Sequence, residues 1–246
     1  MKLVQITSLV ILFFGNPVWA YEPAGTPADW EPPMGTPKPN WKLLGDRLEL
    51  GFDDDVDTYV WDVQGWYGGD RNRLWMKTEG EGEQGKSADT TQLQLLFSRM
   101  FAPFWDAQIG LRQDFRPNPD RTYFVAGVQG VAPYEFEWDS AFFLSEEGDV
   151  SMRIEAEYDL NVTQRWVLQP RVELNAALSD DREVGVGDGI GTSELGIRLR
   201  YHLRREFAPY IGIAWEQRYG DTKKFARDEG EPTSVTSIVV GARFWF

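Results

Sequence analysis

The most constraining feature of this sequence is a two-residue alternation of apolar and polar side chains along most of its 246 residues. In segment 163–176, apolar residues occupy every second position: Trp166, Leu168, Pro170, Val172 and Leu174. The other face of that segment carries charged or amide residues: Arg165, Gln169, Arg171, Glu173 and Asn175. Segments 150–160 and 193–203 repeat the pattern. Alternate side chains share one face of a strand but scatter around a helix, so the pattern predicts an all-β chain.

We predict twelve strands in one antiparallel sheet, with ten as the alternative if the first pair lies outside the wall. Their expected positions are 46–52, 57–67, 72–79, 90–100, 104–115, 121–130, 134–144, 150–160, 163–176, 193–203, 208–219 and 235–246. An even number of strands follows if both chain termini lie on the same side of a membrane, which we expect to be the periplasmic side.

The placement of charge indicates which face of the sheet is covered. The polar faces carry about two dozen charged side chains, more than a dry protein core can bury. The apolar faces carry one charge, Arg99, as expected of a surface in lipid, where a charge costs about 2–4 kcal/mol at the bilayer midplane. The apolar face is therefore expected to point outward. This predicts a single transmembrane β-barrel over residues 46–246.

The connections and the chain end agree with a barrel of the outer-membrane type. Short turns alternate with longer polar loops at 80–89, 179–192 and 220–234. This asymmetry is typical of barrels with short periplasmic turns and long external loops. The last strand places Phe244 and Phe246 on its apolar face.

Two segments precede the predicted barrel. Residues 1–20 combine Lys2, an apolar stretch and the small residue Ala20, which predicts a secretory signal peptide. Residues 21–45 are rich in proline, which predicts an extended periplasmic segment.

Composition excludes several functions. The chain contains no cysteine, so disulfides, thiolate metal sites and thiol catalysis are ruled out. Its net charge of −14 argues against nucleic acid as a partner, because phosphate requires a basic surface.

Several strings along the chain resemble the copper resistance protein B family of the bacterial outer membrane. They are WDVQGWYGGD (61–70), KTEGEGEQG (77–85), APFWD (102–106), GVQGVAPYEFE (127–137), TQRWVLQPRVELN (163–175) and LRYHLRREFAPYIGIAWEQRYGDT (199–222). The resemblance implies an outer-membrane barrel that binds copper ions or passes them across the membrane. It also implies a periplasmic multicopper oxidase as a partner acting nearby.

Few residues in the chain are soft copper ligands. Met34 lies in the Pro-rich segment, while Met100 and His202 fall on the polar face, so these three are our candidate metal ligands. Met76 and Met152 fall on the apolar face and are expected to be wall residues. Acids on the polar face are candidates for a cation path through the lumen: Asp62, Glu79, Glu135, Glu137, Asp139, Glu155, Glu157, Glu173 and Glu194.

Three functions remain open on the sequence alone. The first is a non-enzymatic, monomeric barrel in outer-membrane lipid that contributes to copper resistance or homeostasis. The second is a general cation-selective porin or a passive structural barrel. The third is a lipid-modifying enzyme, which is disfavoured because the alternation places the single histidine, His202, on the inner face.

Overall fold

A computed structural model of the protein describes residues 39–53 and 56–246. Nearly all of this part forms one antiparallel sheet. Its strands are β1 (Asn40–Phe52), β2 (Thr58–Gly68), β3 (Asn72–Glu83), β4 (Thr90–Ala102), β5 (Trp105–Arg116), β6 (Arg121–Ala132), β7 (Phe136–Ser145), β8 (Val150–Tyr158), β9 (Leu160–Asn161), β10 (Trp166–Ala177), β11 (Gly189–Tyr201), β12 (Phe207–Arg218) and β13 (Ser234–Trp245). A 3-10 turn (Arg182–Val184) and one helix, α1 (Gly220–Glu229), lie between strands.

The sheet closes on itself to form a barrel. Each strand pairs with the next, and β13 pairs with β1 through partners such as Val240 and Leu50. Strands β8 and β9 form one wall strand interrupted at Asp159, because both continue the same register along β10. The wall therefore contains twelve strands, which confirms the first prediction over the ten-strand alternative. Closure leaves no unpaired sheet edge.

Several strands extend beyond their predicted ends, and β1, β3 and β11 do so by at least four residues. β1 begins at Asn40, so residues 40–45 belong to the barrel wall and not to the Pro-rich segment. β11 begins four residues earlier than expected, at Gly189. β3 continues through Gly80, where a Cβ atom would lie 2.2 Å from the Trp61 ring on the partner strand. The sequence predicts a loop at this glycine, but in the structure an aromatic ring of the partner strand covers it and the strand continues.

The two faces of the wall have the predicted orientation. Apolar side chains cover the outer surface, and Met76, for example, is 51% exposed there. Arg99 is also exposed on this face. The inner face holds the charged residues, and Arg198 and Arg200 are almost fully buried. No helix in the described part of the chain is long and apolar enough to cross a membrane.

The two ends of the barrel differ. At the short-turn end, the connections are 69–71, 103–104, 133–135, 162–165 and 202–206. The Leu43 backbone N–H donates to the Phe246 carbonyl, 2.9 Å away, so the start of β1 and the chain terminus share this end. At the opposite, long-loop end, residues 178–188 and 219–233 fold against each other, with the Gly187 N–H donating to Thr222 Oγ1 of α1 over 2.9 Å.

Candidate functional site in the barrel lumen

A cavity of about 980 Å³ occupies the short-turn half of the lumen, and we call it the vestibule. Its rim includes residues of the turns 69–71 and 103–104, so it opens at the short-turn end. Nine carboxylates line it: Asp46, Asp62, Asp70, Glu79, Asp106, Glu137, Asp139, Glu155 and Glu157. Five cationic side chains line it: Lys42, Arg71, Arg73, Lys77 and Arg243. The excess of acids makes the vestibule attractive to cations.

Some vestibule carboxylates are neutralised by the protein's own cations. Arg73 Nη1 lies 3.2 Å from Asp106 Oδ2, and Lys77 Nζ lies 2.6 Å from Asp139 Oδ2. By contrast, Asp62 has no hydrogen bond or ion pair within the described residues, although it is only 8% exposed. In the sheet register it lies between Glu79 on β3 and Arg47 on β1, its direct partners on the two neighbouring strands. Buried carboxylates are normally paired, so Asp62 is available to a bound cation.

Beyond the vestibule, a dense ion-pair network is centred on Arg171, whose side chain is 2% exposed. Its Nε atom lies 2.9 Å from Glu155 Oε1 and 3.1 Å from Glu157 Oε1. Its Nη1 atom lies 3.0 Å from Glu194 Oε1, and its Nη2 atom contacts Glu173. One guanidinium therefore joins four carboxylates from three neighbouring strands.

Other ion pairs connect wall strands that are not neighbours. Arg153 Nη1 on β8 lies 2.6 Å from Glu79 Oε2 on β3, and Arg47 on β1 lies 3.3 Å from Glu194 on β11. A second space in this region measures only about 30 Å³, which is close to the volume of one water molecule. The middle of the lumen is thus filled by side chains, in contrast to an open aqueous pore.

Most of the predicted lumen acids lie where they were expected. Asp62, Glu79, Glu137, Glu155 and Glu157 line the vestibule, together with Asp139. The predicted acids Glu173 and Glu194 belong to the Arg171 network. The prediction for Glu135 is wrong. It lies exposed in the turn 133–135 with a φ of 63°, because β7 begins only at Phe136.

The three candidate soft ligands do not come together. Met34 lies outside the described residues. Met100 lines the vestibule from β4, whereas His202 follows β11, which is directly opposite β4 in the twelve-strand wall. Met76 lies on the outer face, as expected.

The surroundings of His202 disfavour a cation. Its Nε2 atom is buried without a hydrogen-bond partner. Partial burial lowers the pKa of the His202 imidazole, and the nearby Arg200 and Arg243 lower it further. This imidazole is therefore neutral at neutral pH, but it lies in positive surroundings.

Sequence reasoning missed one lumen acid on β1, Asp46. The register shifts between Gly45 and Arg47, which inserts Asp46 as an extra residue. Asp46 then pairs with Arg243 over 2.6 Å, while Arg47 and Glu49 also reach the lumen. A strict two-residue count places Asp46 on the outer face with Leu48 and Leu50, but the β-bulge changes the phase of alternation and turns Asp46 into the lumen.

Two groups of acids also lie close together at the long-loop end: Glu147, Asp149 and Asp181, and Asp180, Asp188 and Asp221. The first group contacts Arg121, and Asp221 contacts Lys224. At least one acid of each group is thus already paired with a cation of the protein.

An apolar outer surface, a charged lumen and a closed even-stranded wall define a transmembrane β-barrel of the bacterial outer membrane. The fold is similar to that of the NanC porin, with a TM-score of 0.55 and 14% sequence identity over 83% of this chain and 99% of that chain. The short-turn end accordingly faces the periplasm.

The chain belongs to the copper resistance protein B family, whose model matches residues 39–246. It is 44% identical to Copper resistance protein B of Escherichia coli over 84% of this chain and 70% of that protein. It is 38% identical to the Copper resistance protein B homolog of Pseudomonas syringae pv. tomato, with the same coverage. These matches confirm the family that the sequence strings indicated.

Proposed function

We propose that this protein binds copper ions in the vestibule and passes them through the barrel, and that it thereby contributes to copper resistance or homeostasis. The observation that carries the proposal is the acidic vestibule, in which the buried carboxylate of Asp62 makes no hydrogen bond or ion pair within the described residues. Family membership supports copper as the cation.

The vestibule offers two kinds of copper ligand. Carboxylates such as Asp62 and Glu137 suit Cu(II), whereas the thioether of Met100 suits Cu(I). All three side chains line the same cavity, which is open to the periplasm. The copper ion in this proposal is a cargo that the protein binds and releases.

We further propose that the protein is not an enzyme and acts as a monomer surrounded by outer-membrane lipid. The only histidine of the chain lies among arginines in the turn 202–206, which does not suit a catalytic base. The closed wall needs no second copy to cover a sheet edge. A periplasmic multicopper oxidase would meet the vestibule at its open end.

The alternative is a general cation-selective porin. The excess of vestibule carboxylates favours it, and so does the resemblance in fold to a protein described as a porin. The Arg171 network opposes it, because an unselective pore needs an open path through the middle of the lumen.

The test is a titration of the purified, detergent-folded protein with Cu(I) and Cu(II) in competition with a chelator, with Zn(II) in parallel. We expect stoichiometric copper binding that is tighter than zinc binding. A charge-assisted contact contributes about 1.5–3 kcal/mol, so Asp62→Asn should weaken Cu(II) binding by about ten-fold or more. Met100→Leu should weaken Cu(I) binding.

Matched controls carry the same chemical change outside the vestibule. Glu135→Gln neutralises an exposed turn carboxylate, and Met76→Leu removes a thioether from the outer face. Both controls should bind copper as the unmodified protein does. Equal affinity for copper and zinc, or equal losses in the vestibule and control variants, would contradict the proposal.

A further inference from the structure

A single row of side chains winds along the inner face of the barrel, with one residue from each of eight successive wall strands. Each member is the direct cross-strand partner of the next. In order along the wall, the row consists of Met100, Asp106, Gln129, Asp139, Glu155, Glu173, Glu194 and Glu216. Six of the eight are acids, and we call this set the carboxylate row.

The carboxylate row runs from one end of the barrel towards the other. Met100 lies two residues from the short-turn end of β4, and Glu216 lies two residues from the long-loop end of β12. The strands of outer-membrane barrels tilt by roughly 35–45°, so a row perpendicular to the strands climbs along the barrel axis. The row therefore connects the periplasmic vestibule with the external mouth.

The last five members are acids that lie directly opposite one another, from Asp139 to Glu216. Like charges at directly opposed positions destabilise a sheet. A lumen that served only as a filled support would relieve this cost by alternating acids and bases along the row. The bases lie beside the row instead, as the contacts of Lys77, Arg153 and Arg171 with its acids show.

Arg171 stands at the point where the part of the row that lines the vestibule ends. The first five members, from Met100 to Glu155, line the vestibule. The Arg171 guanidinium contacts Glu155, the last of these, and also Glu173 and Glu194, the next two members. It thus occupies the position that a cation would have to take in order to advance from the vestibule.

A separate observation supports a place in this lumen for a cation that the protein does not supply. Asp62 faces the vestibule from β2, outside the carboxylate row. It is more than nine-tenths buried and has no hydrogen bond or ion pair within the described residues.

We propose that the carboxylate row is the route by which cations cross the lumen, and that the Arg171 guanidinium is the tethered cation that closes this route. This inference rests on the proposed passage of copper ions. It adds the path that the ions follow and the side chain that blocks that path. The occupant is a small metal cation, because only carboxylates, one amide and one thioether lie along the row.

The test is the ion conductance of the full-length protein in planar lipid bilayers with potassium chloride. Arg171→Gln removes the tethered charge and leaves the carboxylates. We expect its potassium conductance to rise by roughly ten-fold over the unmodified protein, with cation selectivity in a salt gradient, because an acidic path concentrates cations. Arg112→Gln is the matched control, since Arg112 pairs with Asp114 outside the row, and it should leave conductance unchanged.

Further variants keep the inference refutable if Arg171→Gln does not fold. Arg171→Lys retains a charge but lacks the planar fork, and Arg171→Gln combined with Glu194→Gln removes one acid together with the base. Both should conduct more than the unmodified protein. Adding Glu155→Gln and Glu173→Gln to Arg171→Gln should abolish the cation selectivity. Unchanged conductance in all folded Arg171 variants, or an opening without cation selectivity, would overturn the inference.

The same preparations separate this inference from the proposed function. Copper binding by chelator competition with no conductance change in the Arg171 variants would leave vestibule binding intact and refute the route. Cation conductance in those variants without any copper preference would support the route and refute copper as its cargo.

Discussion

The buried pair of Glu49 and Arg198 allows a quantitative test of how the filled lumen stabilises the barrel. The two side chains are 3% and 2% exposed. Arg198 donates to Glu49 from both Nε and Nη2, the latter over 3.1 Å, and the Tyr210 hydroxyl donates to Glu49 Oε1 over 3.0 Å. Glu49→Ala leaves the guanidinium and the hydroxyl without this acceptor.

Breaking a buried ion pair costs about 3–5 kcal/mol, because the remaining charge is uncompensated. Arg198 keeps a weaker contact with Glu194 at 3.4 Å, which favours the lower end of that range. We therefore expect Glu49→Ala to lower the free energy of unfolding by about 3 kcal/mol. Urea unfolding of the protein in lipid vesicles, followed by tryptophan fluorescence, measures this change.

Two control variants define what the result means. Lys86→Ala removes an ion pair with Glu83 that is exposed at the long-loop end, and it should leave the free energy of unfolding unchanged. Glu49→Leu combined with Arg198→Met replaces the pair by apolar side chains and should cost less than Glu49→Ala alone. A change below about 1 kcal/mol for Glu49→Ala, as for a surface pair, would refute the reasoning.

Three further predictions concern other parts of the barrel. Gly196→Ala should lower the free energy of unfolding in urea, because the added Cβ would lie 2.4 Å from Arg198 Nη1. Arg121→Gln should speed proteolysis in the external loop 178–188, since Arg121 lies 3.3 Å from Asp181 and 2.9 Å from Glu183. Because the pKa of His202 is lowered in the folded protein, the imidazole binds its proton at a higher pH in the unfolded chain. The free energy of unfolding should therefore fall as the pH drops below 6.5. Urea unfolding at several pH values should show this loss reduced in His202→Gln.

The wall of the barrel could be predicted from the sequence because strand alternation records which face meets lipid. Segments such as 163–176 carry charge on one face only, and a closed barrel turns the charged face of each such strand towards the lumen. The ends of strands could not be predicted in the same way. Gly80 continues β3 because the Trp61 ring covers it, and that contact depends on a neighbouring strand.

The candidate site was predictable in composition but not in arrangement. Alternation placed Glu155, Arg171 and Glu194 in the lumen, but it does not say which of them touch. Their contacts follow from strand register and from the tilt of the wall, which bring together residues far apart in the chain. The bulge at Asp46 has no counterpart in a two-residue pattern, and so Asp46 was missed as a residue of the lumen.

A copper-edge anomalous difference map, from crystals of the protein soaked with copper, tests the central claim most directly. The account predicts a copper peak inside the vestibule, beside Asp62 or Met100, which is lost in crystals of Asp62→Asn combined with Met100→Leu. Copper peaks confined to the exposed acids of the long-loop end, with none in the vestibule, would contradict it.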